Sequence, residues 1–240
     1  MKPEWTIAPL VLGTASVDTS LTLLHRDPGV PLPGAVLAWL LVGENMKILV
    51  DTGPFNPARG MDPLFSQTSE QTLEAQLHRF DTSPAEIAMV INTHLHTDHC
   101  SGNAYFKNRR FLVQKSEIEY ARDPLPVDRP AYAVELEGID FQLLDGDTDI
   151  APGLQLILTP GHTPGSQSVL VQTSQGLHII AGDTIPHFAN MAVPDNEPFW
   201  PSGAYIDLRE YYRSLNRLKA LRGFILPSHD LLVLKKALYP

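Results

Sequence analysis

The stretch Thr93-His94-Leu95-His96-Thr97-Asp98-His99 constrains this chain more than any other. Three imidazoles and a carboxylate fall within six positions, directly after the apolar run Ala88 to Ile91, which predicts a buried strand. Three adjacent buried imidazoles would each need a hydrogen-bond partner, so packing alone does not account for them. An extended start puts His94 and His96 on one side of the backbone, and Asp98 and His99 then turn toward a neighbouring point. Imidazole nitrogens and carboxylate oxygens suit borderline divalent ions such as zinc. Four such donors exceed what one tetrahedral ion with an open position takes, so two ions sharing the cluster is the expected solution.

Two ions need more ligands, and these stand at predicted strand ends. His162 lies in Thr159-Pro160-Gly161-His162-Thr163-Pro164-Gly165, Asp183 in Ala181-Gly182-Asp183, and His229 in Pro227-Ser228-His229-Asp230. Each follows an apolar run and a Gly or Pro, so loops at one edge of a sheet can converge on a single site. Asp51, in Asp51-Thr52-Gly53, either caps its turn or supports a metal ligand. Cys100 reads as a small packed hydrophobe, and His25, His78 and His178 read as structural.

Hydrophobic periodicity supplies the frame. Val36 to Leu41 and Lys47 to Asp51 predict a hairpin about Gly43-Glu44-Asn45. Leu73, Leu77 and Phe80 predict one helix over Thr68 to Phe80, with a capping box at Thr68 and Gln71, and Ser83 and Glu86 carry a second such signal. Further strands are predicted at Phe111 to Val113, Ile139 to Leu144, Leu154 to Leu158, Ser168 to Val171, Leu177 to Ala181 and Phe224 to Leu226. A short helix is expected around Glu117 to Ala121 and a loop over Asp123 to Val134. Asp207 and Glu210 open a helix with the apolar stripe Leu208, Tyr211, Leu215 and Leu218, closed by Gly223. The segment Thr184 to Ile206 is too apolar for a solvated loop; it either packs on the core or a subunit contact, or forms a wall or lid of a pocket.

The chain has 240 residues and a formal net charge of -9, which argues against a partner held mainly through phosphates, and nucleic acid is not expected. The longest apolar run, Ala35 to Val42, is too short to span a bilayer. The Met1-Lys2-Pro3-Glu4 start leads into no signal-peptide run, and the lone cysteine forms no internal disulfide, so a cytoplasmic protein is expected. With no long linker or repeat, residues 1–240 read as a single domain.

The H-x-H-x-D-H run at His94 to His99, the Gly-His-Thr-Pro-Gly turn at His162, Gly-Asp at Asp183, the late Ser-His-Asp at His229 and Asp51-Thr52-Gly53 resemble the metallo-β-lactamase superfamily in order and approximate spacing. The resemblance implies an α/β (α+β) fold, a four-layer αββα sandwich. It also implies a dinuclear site: His94, His96 and His162 on one ion, Asp98, His99 and His229 on the other, and Asp183 between them. Zinc is the expected metal, with iron, manganese or cobalt compatible.

Within the superfamily the chain looks most similar to the N-acyl homoserine lactonase group. That implies hydrolysis of a small-molecule lactone or ester by a metal-bridging hydroxide, with Asp98 and Asp183 as catalytic carboxylates, and a homodimer as the assembly. The group places a tyrosine three residues after the bridging aspartate, where this chain has Pro186; His187 and Tyr205 are the candidates to contact substrate instead. The alternative is a thioester hydrolase of the glyoxalase II kind, which uses the same seven ligands but binds glutathione through basic residues in an added C-terminal region; only eleven residues follow His229 here.

Overall fold

Alternating and fully apolar runs give this chain thirteen strands among the described residues, which in the computed structural model are 4–61, 64–132 and 134–240. The Met1-Lys2-Pro3 start and Ala133 of the expected loop lie outside them. In chain order the strands are β1 Thr6–Asp18, β2 Pro31–Val42, β3 Lys47–Val50, β4 Phe55–Asn56, β5 Gly60–Met61, β6 Ile87–Ile91, β7 Arg110–Gln114, β8 Asp140–Leu144, β9 Thr148–Ala151, β10 Leu154–Leu158, β11 Gln167–Thr173, β12 Gly176–Ile180 and β13 Phe224–Leu226. The helices are α1 Thr19–Thr22, α2 Leu73–His78, α3 Thr97–Cys100, α4 Lys115–Arg122 and α5 Leu208–Ala220.

One sheet has the order β1-β2-β3-β6-β7-β8 and the other β13-β12-β11-β10-β9; β4 and β5 form a separate ribbon. Trp39, Leu41, Ile48 and Val50 of the first sheet meet Leu154, Leu156, Val169 and Ile180 of the second in one buried cluster. On the outer face of the first sheet, Leu73 and Leu77 of α2 pack with Leu10, Leu40, Leu49 and Val90. On the outer face of the second, Tyr211, Leu215 and Leu218 of α5 pack with Ile157, Ile179 and Ile225. This is the expected αββα sandwich. Leu215 and Leu218 are fully buried, and each contributes about 1.5–3 kcal/mol by leaving water. Asp207 starts α5 by accepting from the N–H groups of Arg209 and Glu210, a cap worth about 1 kcal/mol.

Two elements differ from the sequence expectation. The longest strand, β1, carries Pro9 and Gly13, which interrupt a strand pattern. Both are tolerated because β1 is an edge strand, and its register with β2 shifts between Val11 and Gly13. The helix expected over Thr68 to Phe80 is two pieces, a 3-10 turn Ser69–Gln71 and α2. Thr72 takes an extended conformation and caps α2 through its side chain, while the capping box at Thr68 and Gln71 forms as expected.

Topology brings the loops that carry the candidate ligands together. β3 and β6 are parallel neighbours, so Asp51 and the His94 segment leave the first sheet at the same edge. In the second sheet β10 and β12 each pair antiparallel with β11, and β13 is parallel to β12, so β10, β12 and β13 also end at one edge. His162, Asp183 and His229 follow those three ends. The expected single sheet edge is thus a pair of edges, one from each sheet.

Candidate metal centre

The chain leaves β6 extended through His96, whose backbone at φ -69 and ψ 151 is the N-cap of α3. Extended backbone presents His94 and His96, and the first turn of α3 presents Asp98 and His99. The His162 turn is fixed by contact with helices. Gly161 sits at φ +131, and a Cβ there would lie 2.3 Å from the Tyr211 backbone; a Cβ on Gly165 would lie 2.3 Å from the backbone of Glu117. Only glycine fits either position.

Three donor groups result: His94, His96 and His162; His94, His99 and Asp183; and Asp98, His99 and His229, with the ligand atoms of each group within 4.8 Å of one another. His162 Nε2 lies 3.2 Å from both His94 Nε2 and His96 Nδ1. Two nitrogens on one tetrahedral zinc stand about 3.3 Å apart, so this spacing is that of an ion's coordination shell. Asp183 faces both halves: Oδ1 is 3.2 Å from His99 Nε2 and 3.0 Å from His229 Nε2, and Oδ2 is 3.5 Å from His162 Nε2. Asp98 Oδ2 is 3.5 Å from His99 Nε2 and 3.6 Å from His229 Nε2.

The fit to cations shows in the ring nitrogens facing away from the centre. His99 Nδ1 meets Asp51 at 2.8 Å, His162 Nδ1 meets the Ala204 carbonyl at 2.8 Å, and His229 Nδ1 meets the Ala35 carbonyl at 2.9 Å. In the neutral ring an outer nitrogen that donates to such an acceptor leaves Nε2 with a lone pair aimed inward, the form a cation binds. His94 Nδ1 lies 3.1 Å from Thr93 Oγ1, which itself donates to Asp51 at 2.8 Å. His99 Nε2 is buried and makes no hydrogen bond. An inward lone pair with no partner, among carboxylates, is what a divalent cation satisfies.

Burial, then the surrounding imidazoles, push His94 and His96 well below the usual histidine range, which favours the neutral ring that a cation can bind. Burial also acts against charge on His99 and His229, but the nearby carboxylates outweigh it and raise both. For Asp183 burial favours the neutral acid, and His229 and His99 overcome it to hold the carboxyl well below its ordinary value. Asp183 is further fixed by Ser228 Oγ donating to Oδ1 at 2.6 Å and Tyr211 Oη donating to its carbonyl at 2.7 Å.

The model of the metallo-beta-lactamase superfamily matches residues 31–229, from β2 to the last of these histidines. The chain belongs to that superfamily. An N-acyl homoserine lactonase of Bacillus cereus is 32% identical over 223 residues, 87% of this chain and 83% of that one. One from Bacillus thuringiensis is 32% identical over 238 residues, covering 92% and 89%. Among solved structures, a quorum-quenching N-acyl homoserine lactone lactonase superposes with a TM-score of 0.81 at 30% identity, over 97% of this chain and 94% of that one. An N-acyl homoserine lactone hydrolase with N-hexanoyl-L-homoserine at its catalytic metal centre gives 0.80 at 29% identity, covering 98% and 96%. The superfamily's dinuclear site of His and Asp clusters is the arrangement described above.

Around this superfamily centre lie residues of unequal legibility. Asp51, open between two roles in the sequence, contacts the candidate ligand His99 directly at Oδ2, where it also accepts from Thr93 Oγ1, while Oδ1 accepts from Thr93 N, all at 2.8 Å. Glu117, which sequence reasoning placed only in a helix, is fully buried and accepts four hydrogen bonds, one of them from Leu95 N between His94 and His96. Cys100 is buried, and burial pushes its thiol well above the usual range, so it is no nucleophile.

A cavity of about 200 Å³ lies over the centre, lined by Asp98, Asp183 and His229 on one side and by Val17, Leu21, Leu32, Pro33 and Phe65 among its apolar walls. The segment Thr184 to Ile206 both packs and lines: Asn190 Nδ2 donates to the Thr22 carbonyl, Trp200 Nε1 to Leu24 and Ser202 Oγ to Leu21, while Pro186, His187, Ser202 and Ala204 face the cavity. His187 lines the cavity, but its Nδ1 accepts from Ala189 N at 3.2 Å and its Nε2 lies 3.1 Å from Asp230 Oδ2, so both nitrogens are engaged within the protein. Tyr205 is 38% exposed and is not among the described residues that line the cavity.

Proposed function

We propose that this protein is a dinuclear metal-dependent hydrolase that opens the ring of an N-acyl homoserine lactone or a related ester. The observation that carries this reading is Asp183, whose two oxygens face two separate imidazole groups directly beneath an apolar cavity. His94, His96 and His162 would hold one ion and Asp98, His99 and His229 the other, with Asp183 facing both. When bound, two divalent cations supply hydroxide near neutral pH and draw charge from the ester carbonyl.

The protein's own groups do the rest. Asp98 reaches the cavity with its side chain 16% exposed, and in this reading it takes the proton of the attacking water and returns it to the ring oxygen as the acyl C–O bond breaks. The product is the open hydroxy acid. With the lactonase tyrosine replaced by Pro186 and both His187 nitrogens engaged, His187 shapes the wall and does not hold the substrate carbonyl. The apolar walls receive the acyl chain.

Zinc suits the His and Asp donors, and residues 1–240 form one domain in this reading because both sheets supply ligands. A cytoplasmic location accords with the lone, buried Cys100, and no helix among the described residues is long and apolar enough to cross a membrane. The homodimer follows from the resemblance and is tested by sedimentation. Thioester hydrolysis of the glyoxalase II kind has less support: the cavity lining contains no Lys or Arg among the described residues to meet the carboxylates of a glutathione moiety. Proton release by zinc-loaded protein on a panel of acyl homoserine lactones, simple esters and glutathione thioesters tests the reading. Lactone turnover well above thioester turnover is expected, and the reverse order overturns it.

A further inference from the structure

Glu117 is a fully buried carboxylate on α4 that is not among the residues lining the cavity and belongs to none of the donor groups among the described residues. Its Oε1 accepts from Leu95 N at 2.9 Å and Tyr132 Oη at 2.8 Å; its Oε2 accepts from Thr163 Oγ1 at 2.6 Å and Gly165 N at 3.1 Å. Leu95 separates His94 from His96, and Thr163 follows His162. Tyr132 packs its ring edgewise on His96, with centroids 4.8 Å apart. One carboxylate therefore clamps the two loops that carry His94, His96 and His162, and it contacts nothing in the trio Asp98, His99 and His229.

We propose that Glu117 is the positioning residue for the His94, His96 and His162 half of the centre, so that altering it loosens one ion and spares the other. The proposal rests on the dinuclear reading above. All four partners of Glu117 are donors, and four accepted hydrogen bonds fill the lone pairs of a carboxylate. Glutamine keeps the shape, but its NH₂ group must oppose one backbone N–H, Leu95 N on the first loop or Gly165 N on the second, so one of the two loops loses its backbone hydrogen bond to residue 117. The other half has its own anchors: His99 is held by Asp51, and His229 by the Ala35 carbonyl.

The test follows zinc content during dialysis of the zinc-loaded, full-length protein against graded chelator. For Glu117→Gln, one zinc leaves at about 10–100-fold lower free-chelator strength than in the unmodified protein, and the other at the unmodified value. Adding His229→Ala to Glu117→Gln then removes the remaining ion, whereas His229→Ala alone leaves one behind. Should Glu117→Gln fail to fold, Tyr132→Phe and Thr163→Val each delete one donor and keep the charge; each loosens the same ion by a smaller factor. A purely structural role would lower the melting temperature of the metal-free protein and leave the release of both ions unchanged, which overturns the proposal, as does loss of both ions together. If the unmodified protein takes up no zinc, the dinuclear reading falls and this inference with it. If it takes up two and the variants release them normally, this inference alone falls.

Discussion

Asp51 receives His99 Nδ1 at 2.8 Å on the same oxygen that accepts the Thr93 hydroxyl. Through Thr93 the same carboxylate reaches His94, so one buried acid sets the inward lone pairs of a histidine in each half of the centre. Replacing it by Asn sets an amide NH₂ against either the Thr93 N–H at Oδ1 or the His99 N–H at Oδ2. Asp51→Asn is expected to weaken zinc binding about 10–100-fold in a chelator competition, with both ions affected. Unchanged affinity would show that His99 keeps its orientation without the carboxylate.

Asp183 faces both halves, and its substitution should separate chemistry from folding. Asp183→Asn is expected to lower lactone hydrolysis about a hundredfold or more while the melting temperature of the metal-free protein changes little. Paired rate and melting measurements check this, and proportionate losses in both would make Asp183 a structural residue.

The cavity walls predict a dependence on acyl-chain length. Each methylene that enters the cavity contributes up to about 0.8 kcal/mol, roughly a fourfold gain in kcat/KM, until the space is filled. Leu32→Asp, on that wall, should flatten the gradient and leave the shortest substrates least affected. A series of straight-chain lactones measures both slopes, and an unchanged slope in the variant would place the acyl chain elsewhere.

Acid sensitivity is expected at a site remote from the centre. Lys47 donates to Glu86 at 2.8 Å and Ser83 caps onto it, which lowers the carboxyl from 4.5 to about 2. A folded-state value below the ordinary one means that the stabilisation is complete above the ordinary value and is lost as pH falls from there toward 2. The difference in urea midpoint between the unmodified protein and Glu86→Gln should therefore shrink steadily below pH 4.5. A difference that stays constant with pH would assign the contact no linkage.

What the chain reveals before folding depends on how local each feature is. His94, His96, Asp98 and His99 are legible because they crowd a few positions behind an apolar strand. His162, Asp183 and His229 are legible by their place after strand ends. Glu117 is not: on a helix between Lys115-Ser116 and Ile118-Glu119 it looks like any solvent-facing acid, and only its complete burial and four donors distinguish it. The same holds for β1, whose Pro9 and Gly13 break the local pattern that β2 restores by pairing along its length. His187, a candidate substrate contact in the sequence, lines the cavity, but its engagement by Ala189 and Asp230 is a tertiary fact that its neighbours in sequence do not encode.

In the dinuclear reading seven side chains surround a pair of cations. Anomalous diffraction at the zinc edge from crystals of the zinc-loaded protein measures this directly. Two peaks are predicted, one enclosed by His94, His96 and His162 and one by Asp98, His99 and His229, with the Asp183 carboxylate between them. A single peak, or peaks away from these residues, would contradict the account.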